Sequence, residues 1–143
     1  MVKSYRELIV WQKAMELATE VYGLVKLLPR EETYALGDQM RRAAVSIPSN
    51  IAEGFGRSSK KDYANFLTMA RGSAYEVETQ ILLCNRINLL STSQVAPALQ
   101  ILTEITRMVN AMLAKLAPHP TPSTLDPRTS TLEPLPSTLN PQP

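Results

Sequence analysis

Between Ser4 and Leu28 the chain carries two unbroken apolar lines at helical spacing, and few folds can satisfy both. Leu8, Trp11, Met15, Ala18, Tyr22 and Val25 are spaced 3-4-3-4-3. Val10, Ala14, Leu17, Val21, Leu24 and Leu28 are spaced 4-3-4-3-4. A helix on the surface of a globular protein needs one apolar stripe. Two stripes predict a wide buried face, either inside a packed bundle or shared between a bundle and a neighbouring subunit. Ser4 followed by Glu7 has the form of a capping box, which predicts a helix from there to about Leu28, before Pro29.

Three further helical patterns follow. The second covers roughly Tyr34 to Glu53, with Met40, Ala44, Ile47 and Ile51 as its apolar line. Pro48 lies inside it and lacks the N–H that would bond the Ala44 carbonyl, so a kink is expected there; the alternative is a break at Ile47. Gly54 and Gly56 are expected to end it by supplying a permissive backbone. The third helix is predicted from Ser58 or Ser59 to about Leu90. Tyr63, Leu67, Ala70, Ala74, Val77, Ile81, Cys84 and Asn88 form its heptad line, and a second line through Phe66, Met69, Ser73, Glu76, Gln80, Leu83, Ile87 and Leu90 has a polar middle. The fourth begins near Ser93, with Pro97 in its first turn and a seam of Val95, Leu99, Leu102, Thr106, Val109, Leu113 and Leu116. Short connections and no strand pattern predict an all-α, antiparallel up-and-down four-helix bundle over residues 1–117.

From Pro118 to residue 143 the composition changes. Eight of the eleven prolines lie there. Ser-Thr-Leu recurs at Ser123, Ser130 and Ser137, and each copy is followed by Asp, Glu or Asn and then proline. Such a sequence predicts a disordered, low-complexity tail, either a docking peptide for a proline-recognising partner or a translated tandem repeat.

Composition narrows the chemistry. Cys84 is the only cysteine and His119, in the tail, the only histidine, so a cysteine zinc site, a multi-histidine metal site and histidine catalysis are not expected. No apolar run approaches the roughly 20 residues that span a bilayer, and no signal peptide is expected, since Lys3, Arg6 and Glu7 interrupt any apolar run at the start. A reducing, cytoplasmic setting fits. Cys84 is expected to be an inert buried thiol, and Trp11 and Tyr22 to be packing residues ahead of base-stacking ones.

Two groups of polar residues are candidate sites. Arg57, Ser58, Ser59, Lys60 and Lys61 surround the start of the third helix, where unpaired N–H groups and partial positive charge normally attract anions. Cations there are mildly unfavourable unless an anion such as a phosphate joins them. The bland alternative is a solvated basic loop with Ser59 as a simple cap. The second group is Arg41, Arg42, Ser46, Asn50, Glu76, Glu78 and Gln80, expected to form a buried polar network that specifies helix register. Glu76 and Glu78 as di-iron ligands would require Glu-x-x-His pairs, which the helical body lacks. Gly72 and Ser73 are expected to allow close helix approach.

The stretch RRAAVSIPSNIAEGFGRSSKKDY, from Arg41 to Tyr63, together with YRELIVWQKAMELATEVY and ARGSAYEVETQI, resembles the large-subunit ribosomal RNA intervening-sequence proteins over about Tyr5 to Leu116. The resemblance implies a four-helix bundle and extends to the accessory proteins of diversity-generating retroelements, pentameric barrels that bind a reverse transcriptase and nucleic acid. What it implies here is a homopentamer and a nucleic-acid-associated accessory role; the residues themselves show no catalytic centre, so no enzymatic activity and no cofactor are expected. Up to Ala117 the chain has fourteen Lys plus Arg and eleven Asp plus Glu, a charge of +3, and five copies would carry +15, enough to attract a polyanion. The alternative is a structural protein–protein scaffold, with a reverse transcriptase as a possible partner and no direct contact to nucleic acid.

Overall fold

The computed structural model describes residues 1–118 and is all-helical over that span. Four long helices carry the fold: α1 (Ile9–Val25), α2 (Asp38–Phe55), α3 (Lys60–Arg86) and α4 (Thr92–Leu116). Each packs on its neighbours in sequence, and α1 closes the ring against α4. Connections of a few residues leave consecutive helices antiparallel. Of the expected tail, residues 118–143, all but Pro118 lie outside the described residues.

The two lines of α1 part company. Val10, Ala14, Leu17, Val21, Leu24 and Leu28 are all buried in the core of the bundle. On the other line Val25 is buried and Leu8, Trp11 and Ala18 are half-buried, but Met15 and Tyr22 are exposed. The core is completed by Met40, Ala44, Ile47 and Ile51 of α2, by Leu67, Ala70, Ala74, Val77, Ile81 and Cys84 of α3, and by α4. Each large aliphatic side chain buried there contributes about 1.5–3 kcal/mol. Lys13 of α1 and Glu104 of α4 pair at 2.9 Å across the closing seam.

Helix ends and faces differ from the sequence expectation in four places. Ser4 caps a separate 3₁₀ turn, Tyr5–Glu7, where its Oγ accepts from the Arg6 N–H at 3.2 Å. The Glu7 carboxylate accepts from the Lys3 N–H, so no reciprocal box forms, and α1 begins only after Leu8, whose backbone is extended. A short helical turn (Arg30–Glu32) and a π turn (Thr33–Gly37) lead into α2, which runs without interruption through Pro48 to Phe55. Helix α3 stops at Arg86, because Asn88 adopts a left-handed backbone (φ 65°) and the Leu89 and Leu90 N–H groups turn back onto the Cys84 carbonyl.

Helix α4 has a full capping box between Ser91 and Gln94. Pro97 is its sixth residue, past the first turn, on the exposed side. Its buried face is Val95, Ala98, Ile101, Leu102, Ile105 and Val109, rotated from the expected seam: Leu99, Thr106, Leu113 and Leu116 are only half-buried. Among the described residues no helix is long and apolar enough to cross a membrane.

Candidate nucleic-acid interface

The turn between α2 and α3 is fixed by a close approach of backbone to side chain. A Cβ at Gly54 would lie 2.7 Å from Phe66 Cβ and 3.0 Å from Tyr63 Cδ1. Glycine is therefore needed at position 54 for contact, and neither Gly54 nor Gly56 has positive φ. The helix instead ends with the Gly56 N–H shared between the Ala52 and Glu53 carbonyls and the Arg57 N–H on Gly54. Phe55 and Tyr63 meet edge to face at 6.3 Å, and the burial of Tyr63 raises its phenol pKa.

On this turn Arg57 lays its guanidinium over the Phe66 ring, 4.7 Å from the centroid, which holds the charge at the surface. Ser59 is the N-cap of α3: its Oγ accepts from the Asp62 N–H at 3.0 Å. That contact matches the simpler reading of Ser59, and Asp62 complements the helix dipole from the first turn. Ser58, Lys60 and Lys61 are exposed.

Across from this turn lies the end of α4. Lys60, Lys61, Ala64 and Asn65 face Leu113, Lys115, Leu116, Ala117 and Pro118 across a groove of about 680 Å³. Among the described residues no carboxylate lines it. Lys115, more than fifty positions away in sequence, thus joins the two lysines of the loop. Antiparallel pairing also puts the beginning of the chain at this end of the bundle, with exposed Lys3 and Arg6. The acids at the same end are Glu7, Glu53 and Asp62.

The polar middle does not form one buried network. Of its expected members only Gln80 is buried; its Nε2 donates to Glu76 Oε2 at a long 3.4 Å, and its Oε1 has no partner. Arg41 pairs with Asp38 on its own helix and not with a glutamate of α3. Arg42 and Glu76 are exposed, and Glu78 is half-buried. Asn50 bonds the Ser46 carbonyl. Between these helices the Ser46 hydroxyl donates to Ser73 Oγ at 2.6 Å, so Ser73 supports close packing. Gly72 does not: a Cβ there would meet nothing within 4 Å. The reason is rotational, since residues 72 and 76 point outward while 73 and 80 turn toward the other helices.

A second surface lies along α1 and α2. Tyr5, Trp11, Met15 and Ala18 face Val45, Pro48, Ser49 and Ala52 across a shallow apolar groove. It continues past Tyr22 to Arg41 and Arg42. Trp11 is locked edge to face against Tyr5, 5.2 Å between centroids. Cys84, by contrast, is buried 3.9 Å from Met40 Sδ, and burial pushes its thiol pKa up, so it carries no thiolate reactivity.

The family model described as 23S rRNA-intervening sequence protein matches residues 6–111. The chain belongs to that family. This intervening-sequence protein is also similar to a solved structure from Bacteroides thetaiotaomicron, described as a protein of unknown function from the S23 ribosomal protein family. The two share 26% identity over 73% of this chain and 98% of the other, with a TM-score of 0.69. No curated protein matches the chain. The matched region takes in α1, α2, α3 and most of α4, and with them the basic loop.

Proposed function

We propose that this intervening-sequence protein is a non-enzymatic, oligomeric accessory protein that holds the phosphate backbone of RNA or DNA at its basic end. The observation that carries the reading is the convergence of Lys115 with Lys60 and Lys61 around a groove that no described carboxylate lines, with Arg57 on the loop that leads into α3. Cations brought together from two helices attract the phosphates of a polyanion. The attraction multiplies in an oligomer, for which a homopentamer is the favoured form, and a cytoplasmic setting fits it. Ser58 and the first N–H groups of α3 can add hydrogen bonds to a phosphate; the Ser59 hydroxyl already serves the cap.

The test is a gel shift or anisotropy titration at low salt. Arg57→Ala, Lys60→Ala, Lys61→Ala and Lys115→Ala together should weaken RNA and DNA binding broadly across sequences and flatten its salt dependence, because fewer counterions are released. Helicity should be unchanged. Wild-type protein that binds neither polymer at low salt would leave the scaffold reading.

That second reading has its own observation. The α1–α2 groove exposes Met15, Tyr22 and Val45 beside half-buried Trp11, an apolar surface suited to another protein. The occupant is either a second copy, which builds the oligomer, or a partner such as a reverse transcriptase. A pulldown with proteins and RNA both identified separates these outcomes.

A further inference from the structure

The groove between α3 and α4 has an apolar floor, which a phosphate alone does not need. Ala64, Leu113 and Leu116 supply carbon surface; Lys60, Lys61 and Lys115 stand around it, and Asn65 offers an amide at its edge. A duplex shows such a surface only phosphates and sugars, with its bases stacked inside. A single strand can turn a base outward, place its ring on an apolar platform and leave the flanking phosphates to the cations. The groove's size is in the range of small-molecule sites, large enough for one nucleotide.

The other candidate platforms are less suited. The Phe66 ring face is covered by Arg57. The α1–α2 groove around Trp11 has its lining arginines, Arg41 and Arg42, only in its continuation past Tyr22 and not around the ring itself, so a base there would be less closely accompanied than one beside Lys60, Lys61 and Lys115. We propose that the α3–α4 groove seats the base of an unpaired nucleotide, so that the protein prefers single-stranded RNA or DNA to duplex. This rests on the phosphate-binding reading above and adds a class of ligand to it.

The experiment compares the full chain's affinity for a fluorescent oligouridylate of roughly 12 nucleotides with that for an RNA duplex of the same length, at one low salt concentration. The single strand should bind at least about fivefold more tightly, the scale of one base platform. Leu116→Ser removes part of the floor and should erase most of that preference while leaving duplex affinity and the salt slope in place. Ala64→Leu, which fills the groove from α3 with a good helix former, should do the same if Leu116→Ser proves poorly folded. A 4-thiouridine strand should cross-link to peptides spanning 60–65 and 113–118.

Equal affinity for the two polymers, or cross-links at Trp11 and Tyr22 instead, overturns the assignment while the phosphate reading stands. A groove occupied by a second copy or by the chain's own residues after Pro118 would overturn it too, since no cross-link would then form there. Absence of binding by either polymer overturns both readings together.

Discussion

Gly54 offers the sharpest test of how α2 and α3 meet. In Gly54→Ala the new methyl would sit 2.7 Å from Phe66 Cβ, and a Cβ cannot rotate away, so one helix must move relative to the other. Overpacking of this kind costs about 1–3 kcal/mol. The helical position returns up to about 1 kcal/mol, because Ala is the better helix former. The expected net loss is about 1–2 kcal/mol, or a fall in Tm of about 3–8 °C for a domain of this size. Gly72→Ala is the matched control. It is also inside a helix, but its Cβ would meet nothing within 4 Å. It should gain about 0.5–1 kcal/mol. Urea melts of both variants at one protein concentration, with m-values compared, measure the difference. If Gly54→Ala is as stable as Gly72→Ala, the close approach of the two helices is not a constraint and the account of the turn fails.

The Lys13–Glu104 pair should make stability pH-dependent. Hydrogen bonds from Lys13 and Gln100 hold the Glu104 carboxyl below its ordinary value, so its contribution is present above the ordinary carboxylate range and is lost as pH falls through the depressed value. Glu104→Gln should flatten that part of the acid limb in urea midpoints taken from neutral to acid pH. Ser91→Ala removes the bond that the Ser91 hydroxyl accepts from the Gln94 N–H and should cost about 1 kcal/mol, read in a thermal melt. Met15→Glu with Tyr22→Glu should lower the sedimenting mass if the α1–α2 groove joins copies; an unchanged mass in a folded double variant removes that groove from the interface.

The four helices were legible because burial repeats along each of them, and the core line of α1 could be written down residue by residue. On α4 the same reasoning misplaced the buried face. Ala98, Ile101 and Ile105 lie beside Leu99, Leu102 and Thr106 on the helix surface, and both lines are apolar enough that only packing against α1 and α3 decides between them. The left-handed backbone at Asn88 left no clear mark, since its position also fits a heptad line. Arg57, Lys60 and Lys61 could be found because they cluster at a helix start. Lys115 could not, because its place beside Lys60 and Lys61 exists only once α3 and α4 lie antiparallel; four short-looped helices were the one signal that pointed to it. The polar network failed for a related reason. Residue type told which side chains were polar, and helix rotation, unknown until packing, told which of them met.

An even number of antiparallel helices returns the chain to the end where it began. The turn before α1 and the last turn of α4 therefore flank the same basic surface as the α2–α3 loop. Any affinity handle, fluorophore or fused domain joined just before Tyr5 or just after Leu116 would hang over that surface and mask it. The α3–α4 turn, at the opposite pole, is the better anchoring point. A circular permutant opened between Ile87 and Leu90 would carry its new extremities there and leave the lysine groove clear.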